Sequence, residues 1–218
     1  SGHLGIGYTI IEKIINSVRN HFSNPKIILG GALITSEPEL IFNSLNPDFG
    51  VLGEGEKTIL ELLKCIEKNK DLKKVDGIVF RENGKLIFTK PREPIMDLDS
   101  LPLPDLEAMG FEEFLNNQSS DVNFNELDYP RAYYLLCSRG CPYQCTFCYH
   151  STGPKFRLRS LDNIFSEIYI AIEKYKINSL AFLDDLFSVD KKRLIEFCKR
   201  IKKLSQEIGY EINWSCQM

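Results

Sequence analysis

The chain has 218 residues, 43% of them hydrophobic and 26% charged, with 14 Phe, 9 Tyr and 1 Trp. That composition can bury a core and excludes disordered and collagen-like chains; no apolar run reaches the roughly 18–20 residues of a membrane span. The net charge of −3 is uneven: residues 1–130 carry 13 Lys and Arg against 21 Asp and Glu, and residues 131–218 carry 14 against 9.

The chain opens at Ser1-Gly2-His3 without an initiator Met or a signal peptide and stops at Met218 within a strand-like run. Both ends read as cuts, so a portion of a longer protein is expected. Tyr8–Asn20 places Ile10, Ile11, Ile14, Ile15 and Val18 on one helical face. Lys26–Leu29 predicts a buried strand ending at Gly30-Gly31, and Ser36–Leu45 a short helix with Glu37 and Glu39 at its dipole-positive start. Phe49–Leu52 predicts a second strand, running through Gly53-Glu54-Gly55-Glu56 into a helix over Thr58–Lys68. Apolar strands alternating with helices predict a parallel sheet covered by helices. Glycine at each strand end lets backbone approach a ligand at the carboxyl edge.

Val75–Phe88 holds Asn83-Gly84 between two strand-like runs, a hairpin signal. Residues 91–130, with Pro91, Pro94, Pro102, Pro104 and Pro130, read as an ordered linker with one helix around Leu106–Leu115. From Arg131 the alternation resumes. Ala132–Leu136 is a strand; Ser160 caps a helix over Leu161–Tyr175; Ser179–Leu183 is a strand ending at Asp184-Asp185. Asp190 caps a helix over Lys191–Ile208, and Glu211–Ser215 is a third strand. This βαβαβ run is the start of a doubly wound sheet or a barrel, whose chemistry sits on loops after strands. The basic cluster Lys191–Lys203 alternates with Leu194, Phe197, Cys198 and Ile201 at helical spacing. It reads as the solvated face of an outer helix, and no nucleic-acid partner is expected.

Three of the seven cysteines fall in eight residues, Cys141, Cys145 and Cys148; Cys65, Cys137, Cys198 and Cys216 are scattered, with Cys65 and Cys198 on apolar helix faces. An odd total without a secretory signal predicts a reducing, cytoplasmic location and a metal site rather than a disulfide framework. A structural zinc site needs a fourth ligand. His150 lies two residues beyond Cys148 and Cys137 falls at a strand end, so neither supplies it cleanly. Three thiolates suit a [4Fe–4S] cluster with one iron left open, zinc or no metal being the alternative.

The run Ser138-Arg-Gly-Cys141-Pro-Tyr-Gln-Cys145-Thr-Phe147-Cys148 resembles the signature of the radical S-adenosylmethionine (SAM) superfamily, a C-x3-C-x2-C loop after the first strand of a partial (β/α)6 barrel. The resemblance implies that Cys141, Cys145 and Cys148 hold three irons while the amine and carboxylate of SAM chelate the fourth. One electron, from a reductant such as flavodoxin or ferredoxin, then cleaves SAM to methionine and a 5′-deoxyadenosyl radical. Phe147 is expected near the adenine. Asp184 and Asp185 stand where the superfamily often has a Gly-Gly-Glu stretch at the methionyl amine; either contacts SAM, or one merely caps the following turn. Arg157 and Arg159 are candidates for the SAM carboxylate, against simple surface exposure.

The first segment resembles the cobalamin-binding domain that precedes the barrel in one branch of that superfamily. The branch has an Asp-x-His-x-x-Gly loop, then Ser-x-Leu, then Gly-Gly. Ser1-Gly2-His3 and Gly30-Gly31 fit the second and third parts, with His3 in place of Leu; Gly53–Glu56, the hairpin and Asp97–Pro102 also match. The resemblance makes Ser1, Gly30 and Gly31 cobalamin-binding residues and puts the cobalt-ligating loop upstream of Ser1. The expected α/β chain holds the C-terminal part of a Rossmann-like cobalamin-binding domain (1–74), a hairpin and Pro-rich linker (75–130), and the N-terminal half of a radical SAM barrel (131–218). It would act on a small-molecule substrate in a methyltransferase or cyclase-type reaction. A cobalamin-free radical SAM enzyme with a degenerate first domain is a second reading, and a zinc-stabilised binding module a third.

Overall fold

A computed structural model describes residues 2–117, 131–149 and 153–217, with side chains from residue 7 onward. The chain divides into two compact units: residues 1–95 with 146–153, and residues 96–145 with 154–218.

The first unit opens with α1 (Gly2–His21). Ile15 is buried, with Ile11 and Val18 packed beside it, whereas Ile10 and Ile14 stay more than half exposed. β1 (Ile28–Leu29) is followed by α2 (Ala32–Ser36) and α3 (Pro38–Leu45). The sequence predicted one helix here. Pro38 breaks it: Glu37 before it adopts φ −133° and ψ 58°, outside the helical region, and the missing proline N–H is tolerated at the first position of α3. β2 (Phe49–Val51) pairs parallel with β1, and α4 (Gly55–Glu67) follows. The hairpin of β3 (Ile78–Glu82) and β4 (Lys85–Phe88) turns on Asn83 and Gly84, at φ 50° and 79°, the sign that a two-residue type I′ turn requires. β3 pairs antiparallel with β2, so the sheet β1-β2-β3-β4 is mixed where a parallel one was expected. Ile34, Ile41 and Phe42 with Val79 form one core of the unit, and Leu62 and Cys65 of α4 with Ile78 and Phe80 form another. Alternating residues of β3 thus serve opposite faces, as a strand's period dictates.

The second unit begins with the linker and α5 (Phe111–Asn116), shorter than predicted. β5 (Ala132–Leu135) leads into β6 (Ser138–Arg139), which pairs antiparallel with β7 (Arg157–Leu158). Next come α6 (Leu161–Tyr175), β8 (Ser179–Phe182), α7 (Lys191–Ile208) and β9 (Asn213–Ser215). β5, β8 and β9 make a parallel sheet in that order. The caps are as predicted: the Ser160 hydroxyl accepts from Asn163 N–H, and the Asp190 carboxylate accepts from Lys192 and Arg193 N–H. Ile164 and Ile168 of α6 and Phe197 and Leu204 of α7 cover one face of the sheet. Phe182, Phe187, Phe197 and Trp214 interlock there with centroids 4.6–6.1 Å apart, largely in edge-to-face geometry. Among the described residues, no helix is long and apolar enough to cross a membrane.

Candidate iron–sulfur and ligand site

The three clustered cysteines lie on the chain between β6 and β7. Cys141 is half-buried, and Cys145 and Cys148 are exposed, as are Tyr143, Phe147 and Tyr149. Phe147 is 88% exposed, a position no core packing explains. Among the described residues no disulfide forms, and no three His, Cys, Asp or Glu side chains converge on a point that could hold a metal. The donor chemistry nevertheless fits an iron–sulfur cluster: thiols are the ligands such clusters use, and all three reach solvent. Cys137 is buried, and its burial pushes the thiol well above its ordinary value, with the nearby Asp184 charge adding to the rise. It sits in the core with Leu135 and Phe182, away from the three solvent-reaching thiols. Cys65 is buried as expected and donates to Lys70 O at 3.3 Å. Cys198, expected in the core, is exposed; α7 buries Phe197, Ile201 and Leu204 instead.

The stems of the cysteine loop are tied together. Beyond the β6–β7 pair, Arg159 N–H donates to Cys137 O and Arg159 Nη1 to Leu136 O, both at 2.9 Å. Arg159 also donates from Nε to Asn163 Oδ1 at 2.7 Å and pairs with Glu167, itself 4% exposed. The second oxygen of Glu167 accepts from the Tyr133 hydroxyl at 2.5 Å. Burial, then the hydrogen bond to Glu167, raise the Tyr133 phenol above its ordinary value. Arg159 is thus committed to an internal ion pair, and Arg157 is 4% exposed with Nε on Lys155 O, so neither is a simple surface residue. A cavity of about 270 Å³ lies beside the end of β5, lined by Tyr134, Leu136, Arg159 and Leu183 and walled by the linker segment Leu98–Pro104.

The two aspartates after β8 separate. Asp185 is exposed; Asp184 is 1% exposed and accepts the Cys137 N–H and the Ser138 hydroxyl. Burial raises its carboxyl, against hydrogen bonds that pull it down. Ser138 had no sequence signal beyond its place next to the motif. Arg193, counted among solvated lysines and arginines, has its Nη2 buried.

In the first unit, Gly30 and Gly31 end β1. Gly31 has φ +90° and open space where a Cβ would stand; at Gly30 a Cβ would meet only Val51 Cβ, at 3.9 Å. Thr35 Oγ1 donates to Gly31 O at 2.8 Å and accepts from Gly53 N–H at 3.1 Å, joining the loops after β1 and β2. The carboxyl edge of this parallel pair therefore presents bare backbone. Ser1 lies outside the described residues.

No protein-family profile matches the chain. It is 33% identical, over 95% of its length, to an uncharacterized methyltransferase of Pyrococcus horikoshii, and 28% identical, over 92%, to an anaerobic magnesium-protoporphyrin IX monomethyl ester cyclase of Synechocystis. It spans 42% and 39% of those two relatives. Among solved structures, it matches the radical SAM methyltransferase TsrM of Kitasatospora setae, described with cobalamin and a [4Fe–4S] cluster bound, at a TM-score of 0.64 and 17% identity over 90% of this chain and 37% of that one. In sequence this chain is similar to a methyltransferase and a cyclase, of which it spans less than half, and in fold it is similar to TsrM.

Proposed function

We propose that the chain is part of a radical SAM enzyme in which Cys141, Cys145 and Cys148 hold a [4Fe–4S] cluster. The observation that carries this is the placement of three solvent-reaching thiols on a loop whose stems are pinned at the end of β5, the first strand of a parallel sheet. When bound, the cluster supplies the electron that cleaves SAM reductively to methionine and a 5′-deoxyadenosyl radical, drawing it from a flavodoxin- or ferredoxin-type reductant. Phe147 offers a bare aromatic face for the adenine, and Asp185 an exposed carboxylate for the methionyl ammonium. β5, β8 and β9 are the first three strands of a partial (β/α)6 barrel, in residues 131–218; residues 75–130 are the hairpin and linker.

Residues 1–74 belong to a cobalamin-binding Rossmann-like domain. Gly30 and Gly31 supply backbone that a flat corrinoid can approach, and Ser1 is assigned to the same site by motif alone. TsrM carries both cobalamin and a [4Fe–4S] cluster, which supports this pairing. The overall reaction is a methyl transfer or cyclisation on a small molecule, the two activities named among the relatives.

Anaerobic reconstitution of the intact protein, with iron and sulfide analysis and visible absorption, tests this reading. A brown protein is expected. Cys141→Ala, Cys145→Ala and Cys148→Ala should each abolish the chromophore, whereas Cys65→Ala and Cys198→Ala should keep it. Colourless protein holding zinc, or a chromophore that survives all three loop substitutions, refutes the assignment.

A further inference from the structure

Two adjacent carboxylates follow β8, and they face different surroundings. Asp184 turns both oxygens inward: each lies 3.1 Å from the Cys137 nitrogen, and Oδ1 also accepts the Ser138 hydroxyl. Cys137 and Ser138 are the residues through which β5 passes into β6 and on to the cysteine loop. Ser138 is itself 3% exposed, so the contact is internal. A buried carboxylate is costly unless charge and hydrogen bonds compensate it. Here the compensation is hydrogen bonding, from the Cys137 N–H and the Ser138 hydroxyl. Burial lowers the Arg193 guanidinium from its ordinary value, while Cys137, Asp184, Asp190 and Asp99 oppose that fall; its Nη2 is buried with no hydrogen-bond partner among the described residues. Through Asp184, the segment after β8 is committed to two residues that precede the first cluster cysteine.

We propose that Asp184 is a positioning residue for the cluster: its carboxylate clamps the Cys137 N–H and the Ser138 hydroxyl and fixes the strand end from which Cys141 is presented. Asp185 is then the carboxylate left for a cationic ligand group. The clamp's effect on the cluster rests on the iron–sulfur reading above; the clamp itself does not.

The test uses the intact protein with Asp184→Asn, Ser138→Ala and Asp185→Asn. Asp184→Asn keeps the shape and removes the charge. A charge-assisted hydrogen bond of this kind corresponds to roughly ten- to a hundredfold in an equilibrium, so the reconstituted variant should lose its chromophore to a chelator faster by about that factor. The electron paramagnetic resonance spectrum of its reduced cluster should also change. Ser138→Ala removes one of the donors to the carboxylate, should show the same loss in smaller degree, and stands in if Asp184→Asn does not fold. Asp185→Asn should hold its cluster at the wild-type rate while SAM affinity falls roughly tenfold or more. Wild-type cluster kinetics in both Asp184→Asn and Ser138→Ala, or SAM affinity lost in Asp184→Asn with an unaltered cluster, overturns the proposal. In metal-free protein, Asp184→Asn should speed hydrogen exchange at the Cys137 amide about tenfold or more. Unchanged exchange removes the clamp, whereas faster exchange in a protein that takes up no iron upholds the clamp and refutes the iron reading.

Discussion

Glu167 shows how a single buried residue organises its neighbours. Its two oxygens are shared between the Tyr133 hydroxyl and Arg159, and Arg159 in turn reaches the carbonyl of Leu136 at the end of β5. Tyr133→Phe leaves one oxygen of a buried carboxylate short of a donor and should cost about 1–3 kcal/mol, read from denaturant unfolding. The same substitution has a pH signature. The folded protein holds the Tyr133 proton above the phenol's ordinary value, and unfolding releases it. The network's contribution is therefore complete below the unfolded phenol's pKa of about 10 and falls as pH rises beyond it. Stability measured between pH 9 and 11 should decline less steeply for Tyr133→Phe than for wild type. Equal slopes would mean that Tyr133 ionises in the folded state as it does in water.

At the scale of elements, β2 is so closely packed by its partner strand β3 and by α2 that Gly50 has no room for a side chain. A Cβ there would stand 2.6 Å from Val79 Cγ1 and 2.9 Å from Ile34 Cγ1. Gly50→Ala should destabilise the first unit by about 1–3 kcal/mol through overpacking, whereas Gly30→Ala, with only a 3.9 Å contact, should unfold near wild type. Thermal melts of the two variants side by side check this. Strands and helices were legible wherever several turns of pattern or a cap marked them: Ser160 and Asp190 begin α6 and α7 as the sequence implied. The cysteine motif and the glycines after β1 stand out in the sequence by residue type and spacing, and the structure places both on segments that follow strands. What escaped was set by long-range pairing. β6 and β7 have two residues each, too few for any periodicity, and nothing local says that the Asn83-Gly84 hairpin joins β2. Asp184 and Asp185 are indistinguishable as text; only the fold buries one and exposes the other.

For the whole molecule, the hydrophobic clusters respect the division of the chain: Ile34, Phe42, Leu62 and Phe80 belong to cores of the first unit, and Leu135, Ile168, Phe197 and Trp214 to that of the second. Separate cores favour separate cooperative transitions. Calorimetry of the 218-residue chain should give a total enthalpy larger than the van't Hoff value, with Gly50→Ala moving one transition and Tyr133→Phe the other. A single transition shifted by both would show one cooperative body. The joined stems of β6 and β7 carry a consequence for metallation kinetics. Bringing distant chain segments together costs configurational entropy that grows with the logarithm of the intervening length. Because Arg139 is already laid against Arg157, folding meets that cost for the outer segment before any metal arrives. On the proposed assignment of Cys141, Cys145 and Cys148 as ligands, iron would have to close only the short spans between successive cysteines, so the entropy lost on metallation would be that of a short loop rather than of a long one.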